Sequence, residues 1–191
     1  MTYNPRKAAQ TVAFFAIKTG EDAVNVLKAV KLVYLSDREN ISRHGYPILD
    51  ERRVSMKNGP VNSYTYNHIK GEVHPSFDGG WSEILADRAN HDVGLKDPQL
   101  TTDALDELSE AEIATLDGVW DRFGHMDQWE LEAFTHVSEN VPEWEDPRLT
   151  GINSKTIPLE GIFDAIGIPS PVEHAAEIDS LQSSDRFLKG L

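Results

Sequence analysis

At 191 residues, with 39% hydrophobic residues and no cysteine, the chain is sized for one well-cored domain with an appendage, and disulfides and thiolate metal sites are excluded. Its 32 acidic against 18 basic residues give a formal charge of −14, which repels phosphate backbones and anionic headgroups, speaks against nucleic acid, and steers a basic protein towards the surface. The longest apolar runs, VAFFAI and LVYL, are too short to span a bilayer, and no basic stretch followed by an apolar one opens the chain, so a cytoplasmic protein is expected.

The first helix has a clear start, with Asn4 as N-cap, Pro5 in the first turn and Gly20 as its end. Ala8, Ala9, Val12, Phe15 and Ala16 form a core stripe, and Phe14 and Ile17 outside it predict burial on more than one side. From Ala23 to Gly45, Leu27, Val30, Tyr34 and Ile41 recur at helical spacing, with Asp22 available as a cap. Asn25, Lys28, Ser36, Glu39 and Arg43 mark its solvated face. Lys31 and Arg38 lie within roughly 60° of the apolar direction, and Asp37 lies at its other edge. Ions so close to a core require partners. They are either a structural ion-pair network with neighbouring elements or a functional site.

Arg53 to Met56 alternates like a short edge strand, and Asn58-Gly59-Pro60 turns the chain. Asn62 or Ser63 then caps a helix carrying Tyr64, Tyr66 and Ile69 to Gly71. Lys57 and Asn58 flank a glycine that has no Cβ, where another chain's backbone can approach, although a plain strand-to-helix turn reads the same way. The stretch from Glu72 to Thr102 is loop-rich, with a hairpin expected between Glu83–Asp87 and His91–Lys96. His91 and Asp92 lack a third ligand at any metal-binding spacing, so no metal is expected.

Ser109 and Glu112 form a capping box before the stripe Ile113, Leu116, Trp120 and Phe123. Asp127 and Glu130 repeat it before a helix whose Trp129, Ala133 and Val137 are expected inward, with His136 beside them. Pro142-Glu143-Trp144 turns the chain, and Trp144 is expected to fold back as a plug. Pro158 to Ile166 reads as a short helix, and Ser170-Pro171-Val172-Glu173 opens a terminal one to about Ser180, interrupted by Ser183-Ser184-Asp185. The fold expected is mainly α, a compact helical domain with a short β-hairpin or small sheet inserted between helices.

The order Lys31-Leu32-x-Tyr34-Leu35-x-Asp37-Arg38, Gly45-x-Pro47-Ile48, Met56-Lys57-Asn58-Gly59-Pro60-Val61, Leu108-Ser109-x-x-Glu112, Trp129-Glu130-Leu131-x-x-x-Thr135-His136 and Pro142-x-Trp144 resembles the Panacea domain of the SocA-like antitoxins. The resemblance runs from Pro5 to Trp144, which divides the chain into a module over 1–147 and a C-terminal helical extension over 148–191 packing on it. It implies a cofactor-free antitoxin that binds a cognate toxin protein, with a bacterial protease as a further partner where a member acts as an adaptor. Some members carry a DNA-binding domain ahead of the module, whereas this chain starts directly at it. On this reading Lys57, Asn58, Gly59, Pro60 and Val61 contact the partner, while Lys31, Tyr34, Asp37, Arg38, His136 and Trp144 form a structural polar network that presents that turn. The free protein is expected to be a monomer or weak dimer. Two alternatives stand beside this one: an enzyme using Asp37, Lys57, Glu130 and His136 as acid, base and electrostatic partner, and a phage or mobile-element protein acting on a host factor.

Overall fold

The computed structural model describes residues 3–178 and 180. Helix α1 (Pro5–Thr19) begins where Asn4 accepts a hydrogen bond from Lys7 N and ends at Gly20 in the left-handed conformation. It is buried without interruption from Ala8 to Ala16, so Phe14 is as deep as Phe15 and the helix lies inside the domain. Strand β1 (Ala23–Asn25) follows, and it moves the start of the central helix. Asp22 does not cap that helix: it precedes the strand at φ 56°, and Asn25 instead accepts from Leu27 N and Lys28 N. Helix α2 (Val26–His44) ends at Gly45. It packs against α1 and, further along the chain, against the hairpin and chiefly two later helices, over 110–123 and 128–136. Enclosure on several sides explains why Ser36, expected on the solvated face, is fully buried; its hydroxyl is satisfied inside the helix by donating to Leu32 O at 2.7 Å.

Strands β2 (Arg53–Met56) and β3 (Gly59–Asn62) form an antiparallel hairpin around Lys57-Asn58. Strand β2 is not an edge. Strand β5 (Ser154–Ile157) pairs with its other side, Arg53 opposite Ile157, giving the order β3-β2-β5. This strand has a polar, exposed sequence with one buried residue, which hides it from a periodicity reading. Helix α3 (Ser63–Lys70) leads to a loop region containing the one-turn helix α4 (Trp81–Ile84). Strand β4 (Asp92–Gly94) pairs with β1, while the expected local pairing is present as the bridges Leu85–Leu95 and Ala89–Asp92 with hydrogen bonds from Ala86 N to Gly94 O and from Lys96 N to Ile84 O, both at 2.9 Å.

Helices α5 (Glu110–Phe123) and α6 (Gln128–His136) both start with complete capping boxes. The inward face of α6 differs from the expected one: Leu131 and Thr135 are buried, Phe134 packs on Phe123 at 5.0 Å, and Trp129 and Val137 are 61% and 44% exposed. Ala133 is exposed as well. The four-residue spacing of Trp129, Ala133 and Val137 does define one face of the helix, but α6 is rotated so that the neighbouring face carrying Leu131 and Thr135 is the one that packs. Helix α7 (Leu159–Ala165) buries Ile162 and Phe163 in the common core, and a helical segment over 171–178 adds Ala175. The interruption expected at Ser183-Ser184-Asp185 lies outside the described residues. The domain is mainly α with two small sheets. Among the described residues no helix is long and apolar enough to cross a membrane.

Candidate functional site

The three ions of α2 are held in three different ways. Asp37, 1% exposed, accepts from Arg53 Nη2 at 2.9 Å, from Asn62 Nδ2 at 2.7 Å and from Leu49 N at 2.9 Å. Its ionic partner is therefore Arg53 on β2 rather than its neighbour Arg38, whose side chain leaves α2 in another direction. Arg38 Nε donates to Glu143 Oε1 at 2.8 Å, and Tyr34 OH donates to the same oxygen at 2.8 Å. Burial, with the Glu143 carboxylate beside it, pushes the Tyr34 phenol well above its usual range, so it stays a neutral donor. Lys31 is fully buried and its Nζ donates to Pro60 O at 2.8 Å. Desolvation pulls that amine down to about 7, against the opposing charge of Glu132.

His136 and Trp144, expected in one polar network with these ions, contact each other through their rings, and His136 Nε2 has no hydrogen-bond partner among the described residues. They stack at 4.4 Å and 27°, and Trp144 Nε1 donates to Met56 O at 3.2 Å, which pins the hairpin from outside as the plug expected of it. Burial lowers the His136 pKa; Glu132 opposes this and Lys31 adds to it. α2, α6 and the segment carrying Trp144 thus grip one hairpin from three sides.

The turn itself divides. Lys57 and Asn58 are exposed, while Gly59, Pro60 and Val61 are buried. Gly59, at φ 95°, faces inward: a Cβ there would lie 2.7 Å from Thr135 Oγ1 and 2.8 Å from Lys31 Nζ. The close approach that requires glycine is thus made within the chain, by α6 and α2, and not by another chain's backbone. A cavity of about 220 Å³ beside the turn is lined by Leu27, Val30, Val61 and Tyr66 together with Lys31 and Lys57.

Sequence reasoning missed Arg53, Asn62, Glu143 and Glu51. Asn62 stands at the cap position of α3, but its side chain goes to Asp37, and the cap is supplied by Glu51, which accepts from Tyr64 N at 2.6 Å, Thr65 N at 2.9 Å and Thr65 Oγ1 at 2.5 Å. The one available signal was charge balance, since Arg38 and Asp37, both placed close to the apolar direction, each demanded an opposite partner. The residues of the acid–base alternative are not gathered into one cleft: Asp37 is sealed in the core, while Glu130 closes the capping box at the exposed start of α6. Among the described residues no three His, Cys, Asp or Glu side chains gather as metal ligands.

Glu51 provides a pH test of this packing. Burial raises its carboxyl to about 7 from the ordinary 4.5, with the Thr65 hydrogen bonds opposing the rise and the Asp37 charge adding to it. Between these two values the native state binds more protons than the unfolded one, so this contribution to stability falls as pH rises from about 4.5 to about 7. Lys31 has the opposite sign, because its amine is lowered from 10.5 to about 7 and stability gains as pH rises through that interval. Glu51→Gln is expected to remove the falling limb, a relative gain of about 3 kcal/mol between pH 5 and pH 8, while leaving the rising limb. Denaturation curves at the two pH values measure it, and a mutant that tracks the wild type at both would place Glu51 in solvent.

Fold and site together describe a helical scaffold with ions buried where its elements meet and an exposed hairpin tip at its surface. The chain belongs to the antitoxin SocA-like family with the Panacea domain, whose family model matches residues 30–145, more than half of the sequence. No curated protein and no solved structure matches it.

Proposed function

We propose that this chain neutralises a cognate toxin by binding it directly, with Lys57 and Asn58 at the contact. Family membership supports the antitoxin role. The observation that carries the contact is the presentation of the turn, in which two exposed polar residues stand on a hairpin fixed at Pro60 by Lys31, at Arg53 and Asn62 by Asp37, and at Met56 by Trp144. A tip already held in its bound shape loses little entropy on association. Residues 1–147 act as the module and 148–191 as its C-terminal extension, of which β5 and α7 lie against the module, in the cytoplasm and without a cofactor or a catalytic step. The charge of −14 steers a basic toxin to the surface, and Lys57 supplies a local donor once it arrives.

Each flanking reading frame, expressed in a host with and without this protein, tests the proposal. Rescue of growth together with a co-purifying complex is the expected result. Rescue with disappearance of the toxin polypeptide would instead indicate delivery to a protease, and no toxic neighbour would end the cognate-pair reading. Within a confirmed pair, Lys57→Ala is expected to leave the melting temperature unchanged and weaken binding about 5- to 30-fold, the range of a single contact residue. Unchanged affinity would remove the turn from the interface.

A further inference from the structure

Helix α6 packs through Leu131, Phe134 and Thr135, and the opposite side of the helix is exposed. At about 100° per residue, Trp129, Ala133 and Val137 fall within about 40° of one direction on that outer side. Trp129 is 61% exposed and Val137 44%, and Ala133 between them is exposed as well. Single large apolar side chains are common on surfaces, but two in one row with only a methyl group between them make a continuous apolar ridge. The ridge is bordered by one sign of charge. Glu130 stands about 60° to one side of Ala133 and Glu132 about 100° to the other, with Asp127 just ahead of the first turn. Asp127 and Glu130 accept hydrogen bonds from the backbone of their own cap, and the Glu132 carboxylate has no hydrogen bond or ion pair among the described residues. Helix α6 carries no lysine or arginine, and Lys28, which feels the Asp127 charge, is committed to Gly124 O at 2.6 Å.

We propose that this ridge receives a basic amphipathic helix of the protein partner, with its apolar stripe on Trp129, Ala133 and Val137 and its lysines and arginines over Glu130 and Glu132. Three observations select that occupant. Side chains in a row at four-residue steps form the ridge by which helices interlock, and the notch at Ala133 admits a partner side chain between two larger neighbours. Tryptophan is a frequent anchor of interfaces, because it buries a large apolar area and its ring face attracts lysine and arginine. The carboxylates left without a cation, on a chain of charge −14, set the sign of the visitor. A second copy of this chain fits worse, since pairing two such ridges brings Glu130 and Glu132 of one copy against those of the other. Thr135, which meets Gly59, stands on the other side of α6, so the ridge is a separate contact from Lys57 and Asn58. The toxin as the source of the helix rests on the antitoxin reading; the surface does not.

A model peptide about 14 residues long, with leucines at helical spacing and lysines elsewhere, tests the surface of the full chain by amide NMR. The expected result is saturable shifts centred on Trp129, Ala133 and Val137, weakening as salt rises, with none from the same peptide carrying glutamates in place of its lysines. Ala133→Arg, which sets a bulky cation in the middle of the ridge without touching the core, is expected to weaken the peptide at least about tenfold, and Trp129→Ala to do the same, with melts confirming both folds. If Trp129→Ala does not fold, Ala133→Arg alone decides. Linear shifts, shifts spread over the whole acidic surface, or wild-type affinity in either folded variant would overturn the proposal. So would a concentration-dependent dimer of the free chain that Ala133→Arg turns into a monomer, because a second copy would then cover the ridge. In a confirmed pair, Ala133→Arg is expected to weaken the complex, and an unaffected complex would overturn the toxin as the source. The peptide titration does not depend on finding a toxin, so the two readings fail separately.

Discussion

Replacing Asp37 by alanine is expected to cost about 3–5 kcal/mol, the range for removing one partner of a buried ion pair. The substitution leaves Arg53, 7% exposed, with Leu49 O as its remaining hydrogen-bond partner, and it also removes the acceptor of Asn62 Nδ2 and of Leu49 N. Those groups belong to β2, β3 and the loop before β2, so a single deletion loosens both strands of the hairpin from α2. Against a typical domain stability of about 5–15 kcal/mol such a loss is large. Chemical denaturation measures it. A loss of about 0.5 kcal/mol, typical of a surface site, would show the pair to be solvated and the burial wrong. Replacing Asp37 and Arg53 together by apolar residues of similar size is expected to recover part of the loss, because no buried charge is then stranded. Recovery stays incomplete, since Asn62 and Leu49 N still lack their acceptor.

Gly59→Ala is expected to be nearly as severe, at about 2–5 kcal/mol. Two terms add: strain of a non-glycine residue at φ 95°, and overpacking by a methyl group 2.7 Å from Thr135 Oγ1 and 2.8 Å from Lys31 Nζ. Neither neighbour is free to retreat, because Thr135 donates to Glu132 O at 2.9 Å and Lys31 to Pro60 O at 2.8 Å. Adding Thr135→Ala is expected to return the Thr135 share of the overpacking and to leave the Lys31 contact and the backbone strain, so a double-mutant cycle isolates that share. A variant as stable as the wild type would mean that the hairpin is not clamped between α2 and α6. Because the clamp sets the position of Lys57 and Asn58, Gly59→Ala is also expected to weaken partner binding without touching a contact side chain.

These two cases show where legibility ends. Lys31 and Asp37 stand on the apolar side of a helix by spacing alone, and their burial follows from that; Arg38, on the same side, is only half-buried. Their partners do not follow. Asp37 lies next to Arg38 in the chain, yet it pairs with Arg53, because α2 presents successive side chains about 100° apart and only the hairpin passes close to the Asp37 side. Gly59 reads as an opening for another chain until α6 is seen filling the space opposite it. Trp129, Ala133 and Val137 read as an inward stripe from their spacing, and only the rotation of α6 against Phe123 shows Leu131 and Thr135 inside instead.

What the sequence by itself determined was set within a few residues: the ends of α1, both capping boxes, the glycine stop of α2 and the mainly helical class, whereas the turn expected at Asn58-Gly59-Pro60 falls at Lys57-Asn58, with Gly59 and Pro60 already in β3. The motifs spread from Lys31 to Trp144 also carried the family. The tertiary structure alone decided which ions meet, that β2 is central, and that Glu51 rather than Asn62 caps α3. The physical reason is range. Caps and helical faces are satisfied by the chain's own next turn, whereas an ion pair or a strand partner depends on where distant segments come to rest, and no local spacing encodes that.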